Sequence, residues 1–352
     1  MANGTTTMLT IGIDLGDRHS AVCVLGSEGE VSRRFNVATT REGLEGKLGG
    51  LERARVVIEV GTHSPWVSRW LEAKGHEVIV ANARAVRSIA ESDRKTDRND
   101  AEQLARLGRV DPKLLHPIRH RGEAAQRHRM LLTVRDHLVR TRSSFVVQAR
   151  GLAKGLGERL PRCKSETFAK RMRVEPWATL FPAMDVIVRT VEQLDAGIAA
   201  LDEQLEALAR STYPETLLLR QISGIGLLTA LAFVLTLEDP ARFRHSRAVG
   251  SFLGLTVRRR QSGSRDPALR ITKAGDFYLR RLLIQCAHFV LTHGPDCDLR
   301  RFGDRLIARH GRKKAAVAVA RKLAVRMHRL WTTGEVYEPL YDAERKALLA
   351  AA

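Results

Sequence analysis

The spacing of apolar positions changes character along this chain, and each change predicts a different kind of element. Over residues 8–118 short apolar runs alternate with helix-length segments. Leu9 to Asp14 is an apolar run ending on a carboxylate, Ser20 to Leu25 follows a polar turn, and Val31 to Val37 follows a turn containing Gly26 and Gly29. That spacing predicts a meander of three strands. Thr40 to Leu51 predicts a helix, Arg55 to Val60 a buried β-branched strand, and Pro65 to Lys74 a helix with proline in its first turn. Glu77 to Ala81 predicts another strand and Asp97 to Leu107 another helix. Three strands followed by alternating helix and strand imply a mixed α/β sheet with helices packed on it.

Beyond residue 119 the pattern is helical. Apolar residues recur through Leu132, Leu138, Phe145 and Leu152, predicting one long helix over 121–173 with a basic outer face. From Ile187 to Leu208 the steps alternate between four and three. That is a heptad seam with Val191, Ile198 and Leu205 at a, and Leu194, Leu201 and Leu208 at d. The seam is satisfied equally by a second copy of the chain, as a coiled coil, or by the preceding helix of the same chain. Residues 215–335 are mostly helical, with helices expected from about Asp276 to Thr292 and from about Lys313 to Trp331. Ser223-Gly224-Ile225-Gly226, between Leu-rich segments, resembles a helix-hairpin-helix turn, in which Gly224 and Gly226 expose backbone N–H groups to phosphate. The expected domains are therefore 1–118 as a sheet domain, 119–212 as a basic helical and coiled-coil segment, and 213–352 as a mostly helical C-terminal domain.

Composition adds a partner to this picture. The 352 residues are 44% hydrophobic, enough for a buried core and against wholesale disorder. Fifty-nine Lys or Arg stand against 39 Asp or Glu, a net charge of +20, which fits a polyanion such as nucleic acid. Half of that excess falls in residues 121–173, where 14 Lys or Arg oppose four acids. Arg135, Arg142 and Arg150 are the candidate backbone-gripping residues there. The four cysteines, Cys23, Cys163, Cys286 and Cys297, show no C-x-x-C spacing, which argues against a zinc ribbon and for reduced thiols. Met1 to Thr10 has no charged region or apolar signal core, and Leu227 to Leu237 is too short to span a bilayer. A soluble protein of the prokaryotic cytoplasm, associated with the nucleoid, is expected. His19, His63 and His310 read as surface or packing histidines, and Trp66 and Trp70 as the core face of a helix. Arg312, Lys313 and Lys314 read as phosphate contacts or as a solvated run.

Four carboxylates stand apart. Asp14 ends the first strand, Glu59 lies near the end of the Arg55–Val60 strand, and Asp97 and Asp100 are three apart at the start of a helix, on one face. Clustered like charges are costly without a cation, and hard oxygen donors select Mg²⁺ or Mn²⁺. Two such ions are the standard apparatus of phosphodiester chemistry. The competing reading makes Asp97 a helix cap and Asp14 a turn residue.

These residues carry a resemblance. Gly12-Ile13-Asp14, the strand ending in Glu59, and Lys95-Thr96-Asp97 with Asp100-Ala101 resemble the N-terminal domain of the IS one-ten family of insertion-sequence transposases. Gly224-Ile225-Gly226, Gly254-Leu255-Thr256, Arg258-Arg259, Ser262-Gly263, Ile271-Thr272-Lys273-Ala274-Gly275 and Leu279-Arg280-Arg281 resemble that family's C-terminal transposase domain, in order. After Glu59 the chain reads Val60-Gly61-Thr62-His63, where the family often shows Gly-Thr-Tyr.

The resemblance implies a ribonuclease-H-like domain of the RuvC type in which Asp14, Glu59, Asp97 and Asp100 bind Mg²⁺ or Mn²⁺. It also implies a serine nucleophile, Ser262, with Ser264 as the alternative. Arg258, Arg259, Arg260 and Lys273 would then meet the phosphate. The implied partners are donor and target DNA, a structured guide RNA that base-pairs with both, and further copies of the chain as a dimer or dimer of dimers; no membrane is implied. The expected activity is DNA transposition or recombination. Two other readings compete with it: a metal-dependent endonuclease of branched DNA with Ser262 idle, and a nucleic-acid-binding protein without chemistry.

Overall fold

A computed structural model describes residues 8–83, 97–174, 182–263, 267 and 269–341. Lys95, Thr96 and Ser264 lie outside the described residues. The chain divides into two compact units, Met1–Arg121 and Gly122–Ala352.

The first unit is built on a five-stranded mixed sheet. Strands β1 (Thr10–Asp14), β2 (His19–Leu25) and β3 (Val31–Ala38) form the meander, and β4 (Arg55–Glu59) and β5 (Glu77–Ala81) extend it, giving the order β3-β2-β1-β4-β5. β1 pairs antiparallel with β2 and parallel with β4, and β5 is parallel to β4. Two-residue alternation assigns the faces. Ile11, Ile13, Val56 and Ile58 join Leu44 and Leu48 of helix α1 (Arg41–Leu48) and Val67 and Leu71 of α2 (Ser64–Ala73) in one apolar layer. Val57, Ala21, Cys23 and Leu25 point the other way, towards α3 (Asp97–Val110). Thr40 caps α1, its hydroxyl accepting from the Gly43 N–H at 3.0 Å.

Small residues let α3 lie almost on the sheet backbone. A Cβ on Gly12 would fall 1.9 Å from the carbonyl oxygen of Ala101 and 2.6 Å from the amide nitrogen of Ala105. Farther along, a Cβ on Gly108 would fall 2.3 Å from Cγ2 of Val57. This stripe of Ala101, Ala105 and Gly108 fixes the height of α3 over β1 and β4.

The second unit opens with a helical hairpin. Helix α4 (Glu123–Gly155) packs along α6 (Pro182–Thr212), with the short α5 (Phe168–Val174) folded back on the pair. The pairing runs antiparallel. Arg135 meets Asp202, Leu138 faces Gly197, and Arg142 meets Asp195, so partners descend along α6 as α4 ascends. The single helix expected over 121–173 is interrupted. Gly157 adopts φ +84°, a conformation that ends helices, and Pro161 follows. The heptad a positions Val191, Ile198 and Leu205 are buried within this unit, which realises the intrachain alternative for that edge of the seam.

The remaining helices wrap a core around α8 (Leu227–Leu237). That helix is apolar on all sides and buried from Thr229 to Leu237, too short for a membrane span and suited to a core. α7 (Glu215–Leu219) precedes it; α9 (Arg247–Phe252), α10 (Phe277–Thr292), α11 (Asp298–His310) and α12 (Arg312–Thr333) follow. α11 adds to the helices expected. α12 contributes Ala315, Val319, Leu323 and Met327 to the core, and Leu132 and Leu205 of the hairpin join the same cluster. Among the described residues no helix is long and apolar enough to cross a membrane.

Candidate active site

In the first unit, the strand register brings two of the four carboxylates side by side. Ile13 of β1 stands opposite Ile58 of parallel β4, so Asp14 and Glu59 are the next residues on adjacent strands, at their carboxyl ends. The loops beyond these ends meet, because His63 Nε2 lies 3.6 Å from an Asp17 oxygen. α3 delivers the other two carboxylates to the same edge. It runs antiparallel to β1: Arg109 near its far end donates to the Gly26 and Ser27 carbonyls, beside the start of β1, while Ala101 lies over Gly12. The helix start, bearing Asp97 and Asp100, therefore lies towards Asp14. Acidic residues in a first turn also suit the helix dipole.

Asp14, Glu59 and Asp100 are half-buried and Asp97 is exposed. Among the described residues, no group of three or more His, Cys, Asp or Glu stands close enough to hold a metal ion. The donors are all carboxylate oxygens, hard ligands whose chemistry fits a small divalent cation, and Asp14 and Glu59 end adjacent strands.

Neighbouring charges hold the frame. Glu102, in the second turn of α3, bonds Arg34 of β3 and, at 2.8 Å, Arg106. Burial works to raise the Glu102 carboxyl, but Arg106 and Arg34 outweigh it and hold it below the usual carboxylate range. In sequence His63 reads only as a surface or packing residue. Its Nδ1 accepts from Trp66 Nε1 at 3.1 Å, so a proton on the neutral ring sits on Nε2, facing Asp17 at the carboxylate edge. The signal available in sequence is its position four residues after Glu59, just past a strand end.

In the second unit, Ser262 stands on an exposed hairpin. Val257 and Ile271 form an antiparallel bridge at its base, and Arg258 N donates to Arg270 O at 3.0 Å. Arg258, Arg259, Arg260 and Ser262 are all exposed, and the Arg258 side chain also reaches the Thr272 carbonyl at 3.3 Å. Lys273 is exposed with φ +54°, unusual for a residue with a side chain. Gly224, at φ +89°, lies under Phe289: a Cβ there would come within 2.8 Å of that ring. Gly226 begins α8 without a side-chain cap, leaving first-turn N–H groups available.

The three arginines read from the basic helix occupy a different position from the rest. Arg142 is buried and bonds Asp195 at 2.7 Å and Glu166 at 2.8 Å. Arg135 binds Asp202 through two nitrogens, and Arg150 donates to the Cys163 carbonyl at 2.7 Å. These side chains join α4 to its neighbours. Lys154, Arg159, Arg162 and Lys164 lie at the far end of that helix and just beyond it, and all are exposed.

Residues 11–157 match a family model described as a transposase, of the DEDD type of IS110, and residues 216–300 match one described as the transposase of the IS116/IS110/IS902 family. The chain is 26% identical over 93% of its length to the transposase for insertion sequence element IS1111A of Coxiella burnetii, 90% of which is covered. It is 28% identical, again over 93% of its length, to the transposase for insertion sequence element IS1328 of Yersinia enterocolitica, 98% of which is covered. A probable family 20 transposase of Pseudomonas aeruginosa is 28% identical over 81% of this chain and 86% of its own length. Both family models are matched in chain order and the relatives align almost end to end: over most of its length the chain is similar to insertion-sequence transposases of the IS110/IS116 family, which supports a DNA transposase activity.

Proposed function

We propose that this transposase cuts and rejoins DNA with two sets of residues, Asp14, Glu59, Asp97 and Asp100 in the first unit and Ser262 in the second. One observation supports the reading: two adjacent parallel strands each end on a carboxylate, and the helix that starts with two more runs with that start towards the same end of the sheet. The mixed strand order supports a ribonuclease-H-like fold of the RuvC type. The four carboxylates would hold Mg²⁺ or Mn²⁺, and that charge, when bound, polarises the phosphodiester and stabilises the departing oxygen.

The protein's own groups account for the covalent step. Ser262 Oγ gives up its proton to a base and attacks phosphorus; the new Oγ–P ester forms as one DNA P–O bond breaks, and the departing oxygen takes up a proton. Arg258, Arg259 and Arg260 balance the charge that builds on the phosphate. The ester conserves the bond energy, so a second DNA hydroxyl can displace the serine and rejoin the strand. A structured RNA that pairs with donor and target DNA supplies sequence choice, while the basic surface holds backbones. The excess of 20 positive charges supports so large a polyanionic partner.

The test is a denaturing gel of end-labelled DNA incubated with the protein. A protein–DNA adduct is expected from the wild type, and its loss from Ser262→Ala and Asp97→Ala. Cleavage with no adduct would replace this reading with hydrolysis of branched DNA. Sequencing the nucleic acid that copurifies tests the guide; recovering no defined RNA would remove that part.

A further inference from the structure

The hairpin that carries Ser262 is exposed, so its orientation depends on how its base is held. Below the Arg258 rung, Thr272 N donates to Thr256 O at 2.9 Å and Lys273 N to Gly254 O at 3.1 Å. There the two chain segments cross backbone on backbone. Gly254 and Gly275 adopt φ +65° and +69°. A Cβ on Gly254 would lie 2.3 Å from both the nitrogen and the oxygen of Ala274, and one on Gly275 would lie 2.1 Å from the Phe252 oxygen.

One side chain ties this crossing to the core. Arg280 of α10 is 6% exposed, and its Nη1 donates to the Leu253 carbonyl at 3.0 Å and to the Ala274 carbonyl at 2.6 Å. Those carbonyls belong to the two segments that cross. The centre of the Phe277 ring lies 5.9 Å from its guanidinium carbon. Burying a cation is costly unless its donors are satisfied. A rigid planar fork suits two fixed acceptors better than a flexible ammonium does.

We infer that Arg280 is a positioning residue for the nucleophilic serine. It locks the Leu253 and Ala274 segments together, so that residues 257–262 leave the core at a fixed angle and present Ser262 with Arg258, Arg259 and Arg260. The inference rests on the reading of Ser262 as the nucleophile. Rigidity matters because a displacement of about 1 Å at the attacking atom costs roughly 100-fold in rate.

The experiment compares wild type, Arg280→Met, Arg280→Lys and Gly254→Ala in the full chain by two readouts. The first is hydrogen exchange across residues 256–273. The second is the rate of serine–DNA adduct formation at saturating DNA. Arg280→Met should speed exchange at the Arg258, Thr272 and Lys273 amides by about tenfold or more, with α12 unchanged. It should slow adduct formation by about 100-fold while leaving DNA affinity unaltered. Arg280→Lys should recover part of both, and Gly254→Ala should loosen the hairpin with Arg280 in place. If Arg280→Met does not fold, the other two variants decide. A loosened hairpin that keeps the full adduct rate, or hairpin exchange equal to wild type in the Arg280 variants, overturns the inference. Failure of the serine reading shows separately, as an adduct that survives Ser262→Ala or never forms in wild type. Hairpin exchange then still reports whether Arg280 is the clamp.

Discussion

At the scale of single residues, the carboxylate edge depends on Gly12 as much as on its acids. The carbonyl of Ala101 occupies the space a side chain at position 12 would need, so Gly12→Ala must push α3 off the sheet and carry Asp97 and Asp100 with it. Overpacking of this kind costs about 1–3 kcal/mol. The expected result is a lowered denaturation midpoint and a transposition rate that falls further than the stability loss explains; unaltered activity would mean that the height of α3 is not critical. Glu102 makes a second prediction. Its folded pKa is depressed, so its ion pairs with Arg34 and Arg106 stabilise fully above its unfolded value of about 4.3. That contribution is lost as pH falls through the lower folded value. Glu102→Gln should therefore destabilise the protein at neutral pH and converge with wild type in acid unfolding. A stability difference independent of pH would assign the loss to packing.

At the scale of elements, α4 separates two kinds of basic residue that composition lumps together. Arg142 faces α6 and lies buried between Asp195 and Glu166, so Arg142→Met should cost about 2–3 kcal/mol of stability. Replacing Lys154, Arg159, Arg162 and Lys164 with Gln should leave stability intact and reduce the salt dependence of nucleic-acid binding, by up to about 0.9 in log–log slope per lost phosphate contact. An unchanged slope would show that this end faces no backbone. The contrast also shows what is legible in the sequence. The strands of the first unit are readable because two-residue alternation and β-branched runs such as Val56-Val57-Ile58 fix a strand locally. Asp14 and Glu59 can be singled out because each falls at the end of such a run. Which face of α4 points inward is not readable, because the acids that bind its arginines lie far along the chain. Asp195 is 53 residues from Arg142, and Asp202 is 67 residues from Arg135. The break after Gly155 is written in Gly157 and Pro161, but the strong helical period around it masks them. Arg280 looks like one more basic residue of a motif; its role in the hairpin base comes from a crossing of two segments that only tertiary structure creates.

At the scale of the whole molecule, the carboxylates and the serine belong to different compact units, Met1–Arg121 and Gly122–Ala352. We propose that the two sets can come from different copies, which would keep a lone chain from cutting DNA. Mixing Asp14→Ala with Ser262→Ala should then restore part of the recombination that each variant lacks. A mixture that stays inactive, with both variants folded and co-assembled, would mean that each chain completes its own site. The most direct measurement is to trap the reaction, digest it and identify by mass spectrometry the residue joined to DNA. A nucleotide phosphate on Ser262 is expected, formed with a divalent cation present and absent from Asp97→Ala. DNA joined to another residue, or strand transfer with no joined residue at all, would contradict it.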